Sequence, residues 1–310
     1  MASTYSVPDL TYADRKPRDE GLRPSWKANP GFVNPGHNRV FAETKDIPGW
    51  QTPGDSYKLY ELGFFGGDAI LEIGTFGGRS AVVELKGALS NPARKQSPQF
   101  FGVDILQESI VRTFGSMKAH SVEEFALLYR GSLRQFAADV PVNPTMVFVD
   151  GDHAYEGVKD DTAVLSDLLR PDVPVLFHDF LNAENDTGAY GVRRAAQEWE
   201  KAGFVTFIGA FGCSGLFLTT AKCRGLNSVM SPEEFEEYRG RFSFKPIETP
   251  PQRSLQGRLV DRCLLRNRYH AVGVSPPKFR RRLAEAVATS GPAGRAAIDA
   301  VVRIKHRVFG

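Results

Sequence analysis

The chain has 310 residues, of which 42% are hydrophobic and 11% aromatic, so it can bury a sizeable core as one α/β domain with extensions. No segment approaches the roughly 20 consecutive apolar residues of a membrane-spanning helix, and the first residues lack a signal-peptide pattern. Three cysteines (Cys213, Cys223 and Cys263) without CxxC spacing exclude a disulfide framework and a cysteine-bound zinc cluster. We therefore expect a cytoplasmic protein.

The formal net charge of +3 conceals a basic C-terminal segment. Residues 251–310 carry 13 Lys and Arg against 3 Asp and Glu, whereas the rest of the chain carries 26 against 33. Within this segment, residues 295–309 place apolar side chains on one helical face. A basic amphipathic helix favours either peripheral binding to the inner membrane face or packing on the domain or on a second copy. No nucleic-acid-binding motif accompanies the charge, so nucleic acid is not an expected partner.

The predicted elements begin after an N-terminal arm. Residues 1–55 contain seven prolines and little periodicity, which predicts irregular structure, and a short helix is expected over 56–65. Apolar runs then predict strands over 69–74, 99–105, 126–131, 145–150, 173–180, 204–210 and 215–220. Helical patterns separate them, at about 78–89, after 105 as far as 125, over 132–140, after 150 as far as 169, and over 192–202.

Alternation of strand and helix predicts the fold class. It indicates a Rossmann-like, doubly wound α/β fold with a mostly parallel seven-stranded sheet and helices on both faces. The last two strands are so close in sequence that they must form a hairpin, which adds an antiparallel C-terminal strand. We therefore expect a central ligand-binding domain over 56–222 and a basic, partly helical extension over 223–310. Ligands of such sheets bind at the carboxyl ends of the strands.

A glycine-rich turn follows the first predicted strand, in the sequence LEIGTFGGRS (71–80). Glycines let a backbone approach a ligand closely, and the N-terminus of the next helix offers free N–H groups. The dinucleotide fingerprint GxGxxG fails here, because Phe76 stands where its second glycine would be. The turn by itself is also compatible with a packed strand–helix connection that binds nothing.

Two polar residues follow the next strands. Asp104 ends the second strand about 30 residues after the glycine turn, where a carboxylate can accept both hydroxyls of a ribose. Ser132 follows the third strand, where its hydroxyl and the adjacent backbone could contact an adenine edge. Either residue could instead cap a helix.

Several motifs together resemble one family. The segments Glu72–Ser80, Asp104, VFVDGDHAYEGVKDD, FHD and GVRRAAQEW resemble the class I S-adenosylmethionine-dependent methyltransferases, and most of all O-methyltransferases with a DGDH-type fourth motif. The resemblance covers roughly residues 56–220. It implies S-adenosylmethionine as cofactor, with Glu72 and Gly74 beside its methionine part, Asp104 on the ribose and Ser132 near the adenine. The other residues that it assigns to the cofactor site are Thr75, Phe76, Gly78, Ser80 and Asp150.

Acidic and imidazole side chains follow the fourth and fifth strands. Asp150 ends one strand, His178 and Asp179 end the next, and neighbouring strands lie about 4.8 Å apart. Two close carboxylates repel unless a proton or a cation lies between them, and this donor set suits Mg²⁺ or Mn²⁺. Metal-dependent relatives usually carry an acidic residue in place of His178, so a metal-free site is the alternative to a cation bound by Asp150, His178 and Asp179.

His153 is the candidate general base. An imidazole can take a hydroxyl proton near neutral pH, and sugar methyltransferases with an Asp-x-x-His arrangement use that histidine as the base. The resemblance thus makes His153 and Asp150 the catalytic residues, although His153 could also cap the following helix. We expect Asp152 to cap that helix and Asp160 and Asp161 to be solvated.

The sequence predicts an S-adenosylmethionine-dependent O-methyltransferase that acts on a hydroxyl of a sugar or other small polar metabolite, with divalent-metal assistance. One alternative is a NAD- or nucleotide-binding oxidoreductase on a similar fold, against which Phe76 counts. Another is a non-catalytic scaffold that acts through its basic C-terminal tail. The acceptor pocket varies with substrate in such folds, so the sequence does not identify the acceptor.

Overall fold

The computed structural model describes residues 35–225 and 230–244. All of them belong to one compact unit, Met1–Pro246. The beginning of the predicted N-terminal arm and the basic segment at 251–310 lie outside the described residues. Among the described helices, none is long and apolar enough to cross a membrane.

The described elements alternate as the sequence predicts. The strands are β1 (Ala69–Ile73), β2 (Gln99–Asp104), β3 (Ala126–Arg130), β4 (Met146–Val149), β5 (Pro174–Phe177), β6 (Val205–Phe211) and β7 (Ser214–Thr219). The α-helices are α1 (Pro35–Thr44), α2 (Pro53–Gly66), α3 (Arg79–Leu89), α4 (Gln107–Ala119), α5 (Leu133–Asp139), α6 (Tyr155–Leu168), α7 (Glu184–Thr187), α8 (Val192–Lys201) and α9 (Pro232–Phe242). A 3₁₀ turn, Glu123–Phe125, precedes β3.

The strands form one seven-stranded sheet in the order β3-β2-β1-β4-β5-β7-β6. Neighbours from β3 to β5 pair in parallel, β7 runs antiparallel to both β5 and β6, and the hairpin of β6 and β7 therefore supplies the antiparallel strand. The predicted fold class is confirmed. The chain moves outward from β1 to β3 and then returns to β4, so the strand order reverses between β1 and β4. A ligand site is expected outside the carboxyl ends of those two strands.

Both faces of the sheet are covered, which explains why its central strands are almost continuously apolar. Strands β1, β2, β4 and β5 are buried along their whole length. Leu71, Phe101 and Val147 face a core that α5, α6, α8 and α9 complete. Ile70 and Phe148 face the opposite core, which α2, α3 and α4 complete. Two such cores position the strand ends rigidly.

The structure departs from the predicted domain limits at both ends. Part of the arm that the sequence predicted as irregular is helical, since α1 covers Pro35–Thr44 and α2 begins at Pro53. A Thr52–Asp55 capping box with Pro53 in the first turn explains the start of α2.

At the other end, the sequence placed residues after 222 in an extension, but α9 packs Phe235 and the preceding Met230 into the core. Beyond α9, the Phe244 N–H donates to the Leu128 carbonyl of β3 at 2.7 Å, and the Leu128 N–H donates to Ser243 Oγ at 3.1 Å. The folded unit therefore includes residues 230–244.

Candidate functional site

The glycine turn lies against the end of β4. Gly74 has a φ of +85°, and a Cβ on it would lie 2.2 Å from the carbonyl oxygen of Asp150. Gly78, the residue before α3, has a φ of +79°, and a Cβ there would lie 2.8 Å from the Cα of Thr113. Both positions therefore require glycine. The glycine turn is therefore in direct contact with Asp150, the first residue after β4.

Phe76 occupies a strained backbone position within this turn. Its φ is +41°, a region that side chains with a Cβ rarely adopt. The ring centroids of Phe76 and Trp50 lie 4.7 Å apart. The Arg112 guanidinium lies over the Phe76 ring, 5.9 Å from its centroid. Strain of this kind concentrates at functional sites. The segment before α2 is thus joined to the glycine turn through two aromatic rings.

Asp104 holds the glycine turn through backbone hydrogen bonds. Its Oδ2 accepts from the N–H of Thr75 at 3.0 Å and of Phe76 at 3.3 Å, and its Oδ1 accepts from the N–H of Leu106 at 2.8 Å. A carboxylate offers about four acceptor positions, so at least one direction is left for a ligand hydroxyl. Asp104 therefore both shapes the turn and can contact a ribose.

Glu72, the last residue but one of β1, lies in the interior of the protein. It is fully buried, it accepts a hydrogen bond from Ser80 Oγ, and its Oε2 has no hydrogen-bond partner among the described residues. Burial raises the pKa of Glu72 well above its ordinary value; the Ser80 bond opposes this shift, and the charges of Asp150 and Asp104 add to it. The fully buried Glu84 on α3 also has a raised pKa, because of burial and the nearby Glu72. The surroundings of Glu72 therefore favour the neutral form of its carboxyl group.

Ser132 is the N-cap of α5. Its hydroxyl accepts from the Gln135 N–H at 3.3 Å, and the Gln135 side chain accepts from the Ser132 N–H at 2.9 Å, which completes a capping box. Of the two roles that the sequence left open, the structure shows the cap. Ser132 also lies next to Gly131, whose N–H donates to the Asp104 carbonyl, so the cap is close to the predicted cofactor edge.

Four charged side chains converge after β4 and β5. His153 Nε2 lies 2.9 Å from Asp179 Oδ2 and 3.7 Å from Asp150 Oδ1. His178 Nδ1 lies 3.0 Å from Asp150 Oδ1 and 3.5 Å from Asp179 Oδ2. The strands deliver Asp150, His178 and Asp179 as predicted, and the turn before α6 brings His153 to them. Asp179 has a φ of +55°, a second strained backbone position at this edge.

These contacts set the protonation of the cluster. Burial alone lowers the pKa of His153, but hydrogen bonds to Asp150 and Asp179 outweigh it and raise that pKa to about 9. His178 shows the same balance: burial opposes its charge, but the Asp150 carboxylate and the hydrogen bonds raise its pKa well above the ordinary value. Burial raises the pKa of Asp179, and hydrogen bonds from both histidines more than reverse that shift. These contacts therefore favour the charged forms of both imidazole rings and of both carboxyl groups.

The cluster also offers donor atoms for a metal ion. One ligand atom each from Asp150, His153 and Asp179 lies within 4.8 Å of the others. The sequence named His178 in this set, but the set within that distance contains His153 instead. A mixture of carboxylate oxygen and imidazole nitrogen fits a divalent cation of the Mn²⁺ type. The residues at this edge can therefore hold the predicted ion.

Sequence reasoning missed three neighbours of the cluster. Tyr190 lies beside His153, with ring centroids 4.6 Å apart. Cys213 Sγ lies 3.6 Å from Asp179 Oδ1, and Asp55 Oδ2 lies 3.9 Å from His178 Nε2. They come from three distant parts of the chain, and no motif links them to it. For Asp55 the capping-box pattern predicts a helix start, but not a place at the site.

Two acidic residues of the segment VFVDGDHAYEGVKDD, Asp152 and Asp161, have surroundings that differ from those predicted. The Asp152 carboxylate accepts from the N–H of Ala154 at 2.9 Å, so it stabilises the turn before α6, whose N-cap residue is Ala154. Asp161 is half-buried, although it was expected to be solvated. Burial, together with the charges of Asp152 and Asp160, raises its pKa to about 7.

Comparison with known proteins finds a likeness over the segment that carries this site. Residues 71–180, which run from β1 to the residue after Asp179, match the family model described as "Methyltransferase domain". The matched segment is thus similar to a methyltransferase domain, and it contains every predicted site residue. No curated protein matches the sequence.

Solved structures show a partial likeness. An O-methyltransferase from Bacillus cereus in complex with SAH is 14% identical with a TM-score of 0.47, over 61% of this chain and 92% of that one. TomG, an O-methyltransferase from Streptomyces achromogenes involved in tomaymycin synthesis and solved in complex with SAM, is 19% identical with a TM-score of 0.46, over 61% and 91%. SAH-bound PaMTH1 from Podospora anserina is 14% identical with a TM-score of 0.47, over 61% and 88%.

Proposed function

We propose that the protein is an S-adenosylmethionine-dependent O-methyltransferase that acts on a hydroxyl of a sugar or other small polar metabolite. One observation carries the proposal: the glycine turn and the Asp150–His153–Asp179 cluster meet at the same sheet edge, where Gly74 lies against Asp150. The match of this region to a methyltransferase domain agrees with it. A methyl donor and a deprotonating group would thus be neighbours.

The cofactor side of the site is built around the turn. We assign the methionine part of the cofactor to Glu72 and Gly74, the ribose to Asp104 and the adenine to the neighbourhood of Ser132. The remaining wall comes from Thr75, Phe76, Gly78, Ser80 and Asp150. Free N–H groups at the start of α3 favour the negatively charged carboxylate of the methionine part. An adenine contact by the Ser132 hydroxyl would compete with its capping box.

The acceptor side carries the proton transfer. Methyl transfer to a hydroxyl forms an O–CH₃ bond, breaks the S–CH₃ bond of the sulfonium and releases the hydroxyl proton. In this proposal His153 takes that proton at Nδ1, because its Nε2 faces Asp179 Oδ2 at 2.9 Å, and Asp179 holds the ring in position and stabilises the imidazolium that results. Because the pKa of His153 is raised to about 9, the ring must first lose its proton to act as a base.

A divalent cation fits the carboxylate oxygens of Asp150 and Asp179, with His153 left as the base, and it deepens the proposal. When bound, such an ion supplies positive charge that lowers the pKa of the acceptor hydroxyl. Asp150 and Asp179 would hold it. His153, no longer compensating those two carboxylates, would then become neutral at a lower pH. The basic C-terminal segment remains a prediction for peripheral membrane binding or self-association, and it lies outside the described residues.

Calorimetric titration of the full chain with S-adenosylmethionine and, separately, with NAD tests the proposal. We expect binding of S-adenosylmethionine and none of NAD, because Phe76 blocks the close backbone approach of the dinucleotide fingerprint. Acceptors are then screened with methyl-labelled cofactor against panels of sugars, nucleosides and phenols. Binding of NAD alone would support an oxidoreductase, and binding of neither a non-catalytic scaffold.

A further inference from the structure

Asp55, the third residue of α2, is fully buried and makes contacts in two directions. Its Oδ2 accepts from the N–H and the hydroxyl of Thr52, both at 2.7 Å, as the capping box of α2 requires. Its Oδ1 accepts from the Cys213 N–H at 2.9 Å and from Ser214 Oγ at 2.7 Å. Asp55 therefore joins the start of α2 to the turn between β6 and β7.

His178 lies between this carboxylate and the acceptor cluster. It is buried, and its Nδ1 lies 3.0 Å from Asp150 Oδ1. Its Nε2 has no hydrogen-bond partner among the described residues, and Asp55 Oδ2 lies 3.9 Å from this nitrogen. The buried Asp55 and His178 and the partly exposed Asp150 thus form a series of carboxylate, imidazole and carboxylate.

The segment that carries Asp55 is fixed along the same sheet edge. A Cβ on Gly77 of the glycine turn would lie 2.3 Å from the Pro48 carbonyl oxygen. A Cβ on Gly54 would lie 2.7 Å from the backbone nitrogen of Gly212. Residues 48–55 therefore contact the glycine turn at one end and the β6–β7 turn at the other. So close a fit leaves Asp55 little freedom to move relative to His178.

We infer that Asp55 is a positioning residue of the proposed acceptor site, which it serves by orienting His178 and, through it, the Asp150 carboxylate. The inference rests on the proposed function only in giving Asp150 a place in that site. A capping role alone would use Oδ2 and the two Thr52 donors. A positioning role adds the approach of the same Oδ2 to His178 Nε2, which has no hydrogen-bond partner among the described residues.

The histidine ring itself provides the first test, which requires neither cofactor nor acceptor. In long-range ¹H–¹⁵N spectra of histidine-labelled protein at one fixed pH, the His178 signals are assigned by their loss in His178→Gln. We expect Asp55→Asn to displace the signals of both His178 ring nitrogens, and Asp55→Glu, which restores a carboxylate, to displace them less. Ser214→Ala is the matched control, because it removes a donor to Oδ1 and leaves Oδ2 facing the ring.

Affinity for Mn²⁺ provides the second test. Partners one shell behind a metal ligand typically change affinity by about 10–100-fold, so we expect a loss of about tenfold or more in Asp55→Asn. Because Asp55 acts through the ring, the same substitution should change Mn²⁺ affinity by less than about twofold in the His178→Gln background. Affinity for S-adenosylmethionine should stay near wild type in Ser214→Ala, which leaves Asp55, His178 and Asp150 in place.

The inference is overturned by unchanged His178 signals in folded Asp55→Asn, or by equal displacement in Ser214→Ala. Additive losses of Mn²⁺ affinity in the double variant would also overturn it. If Asp55→Asn does not fold, the comparison of Asp55→Glu with Ser214→Ala decides in the same way. If wild type binds no Mn²⁺, the cation of the proposed function fails, and the ring signals alone judge Asp55.

Discussion

The two halves of the site are stabilised by different kinds of interaction. On the cofactor side, the Asp104 carboxylate accepts three backbone N–H groups from two short turns. On the acceptor side, Asp150 and Asp179 face His153 and His178 through contacts between charged side chains from separate turns. Backbone contacts define a shape that few substitutions alter, whereas paired charges define a state that changes with pH and with bound ions. We therefore expect the first half to determine binding and the second half to determine turnover.

Replacement of His153 should have the largest effect, and this effect should be on turnover rather than on cofactor binding. His153→Ala removes the proposed base and should lower kcat by about 10²–10⁴-fold, while cofactor affinity changes little. The loss should shrink at high pH, where hydroxide partly replaces the missing base. Rates are measured with the acceptor found by screening, across pH 6–10. A near-normal kcat at every pH would make His153 a structural residue of the turn before α6.

Removal of a bound metal ion should also reduce turnover and leave cofactor binding in place. Exhaustive chelation should reduce methyl transfer by about tenfold or more, and added Mn²⁺ or Mg²⁺ should restore it, because a cation supplies several kcal/mol of charge stabilisation. Calorimetry on the chelated protein should still detect S-adenosylmethionine binding. Full turnover after chelation would leave a metal-free site in which the histidines alone compensate the carboxylates.

The matching experiment on the cofactor side is Asp104→Ala. Hydrogen bonds to a charged group contribute about 1.5–3 kcal/mol each, so loss of the contacts to the turn should weaken S-adenosylmethionine binding by about tenfold or more. Ser132→Ala is the control: it should cost helix α5 about 1 kcal/mol through the lost cap and leave cofactor affinity within a few-fold. Calorimetry measures the affinities. Equal affinity in Asp104→Ala and wild type would place the ribose elsewhere.

The smallest effect concerns stability, on α6 behind the acceptor half. Asp161 has a pKa of about 7 when folded, above its ordinary value of 3.8, so its ionisation destabilises the fold as pH rises between these values. Asp161→Asn should therefore be more stable than wild type above pH 7, by about 1 kcal/mol given that the side chain is half-buried, and equal to it near pH 4. Urea unfolding at both pH values measures the difference. Asp160→Asn, at an exposed neighbour, is the control and should change little.

The cofactor half could be predicted because its parts are local in sequence. A glycine turn, a strand-terminal aspartate and the alternation of strand and helix each have their own pattern, and the structure brings them together as that pattern requires. Strands β1 to β7 lie where the apolar runs predict them. Even so, the burial of Glu72 and the capping role of Ser132 depend on how α3 and α5 pack, which a pattern of residue types does not specify.

The acceptor half could be predicted only in part. The pairing of β4 with β5 brings His178 and Asp179 to Asp150, and strand adjacency makes that convergence predictable. Asp55 and Tyr190 reach the cluster from segments 95 residues before Asp150 and 40 residues after it, through turns whose paths no local rule determines. The predicted limit at 222 missed α9, because the low hydrophobicity around 223–244 conceals the few apolar side chains, such as Phe235, that join this helix to the core.

The pairing of residues 243 and 244 with β3 matters for how the chain can be shortened. An outer strand with free N–H and C=O groups is a template for association between molecules, and here Ser243 and Phe244 occupy the groups of Leu128. A chain ended at 222 would lose α9 together with this cover and should aggregate during purification. A chain ended at 246 keeps the cover and removes the whole basic segment, residues 251–310. It is therefore the soluble fragment to use when effects of that segment are to be separated from those of the domain.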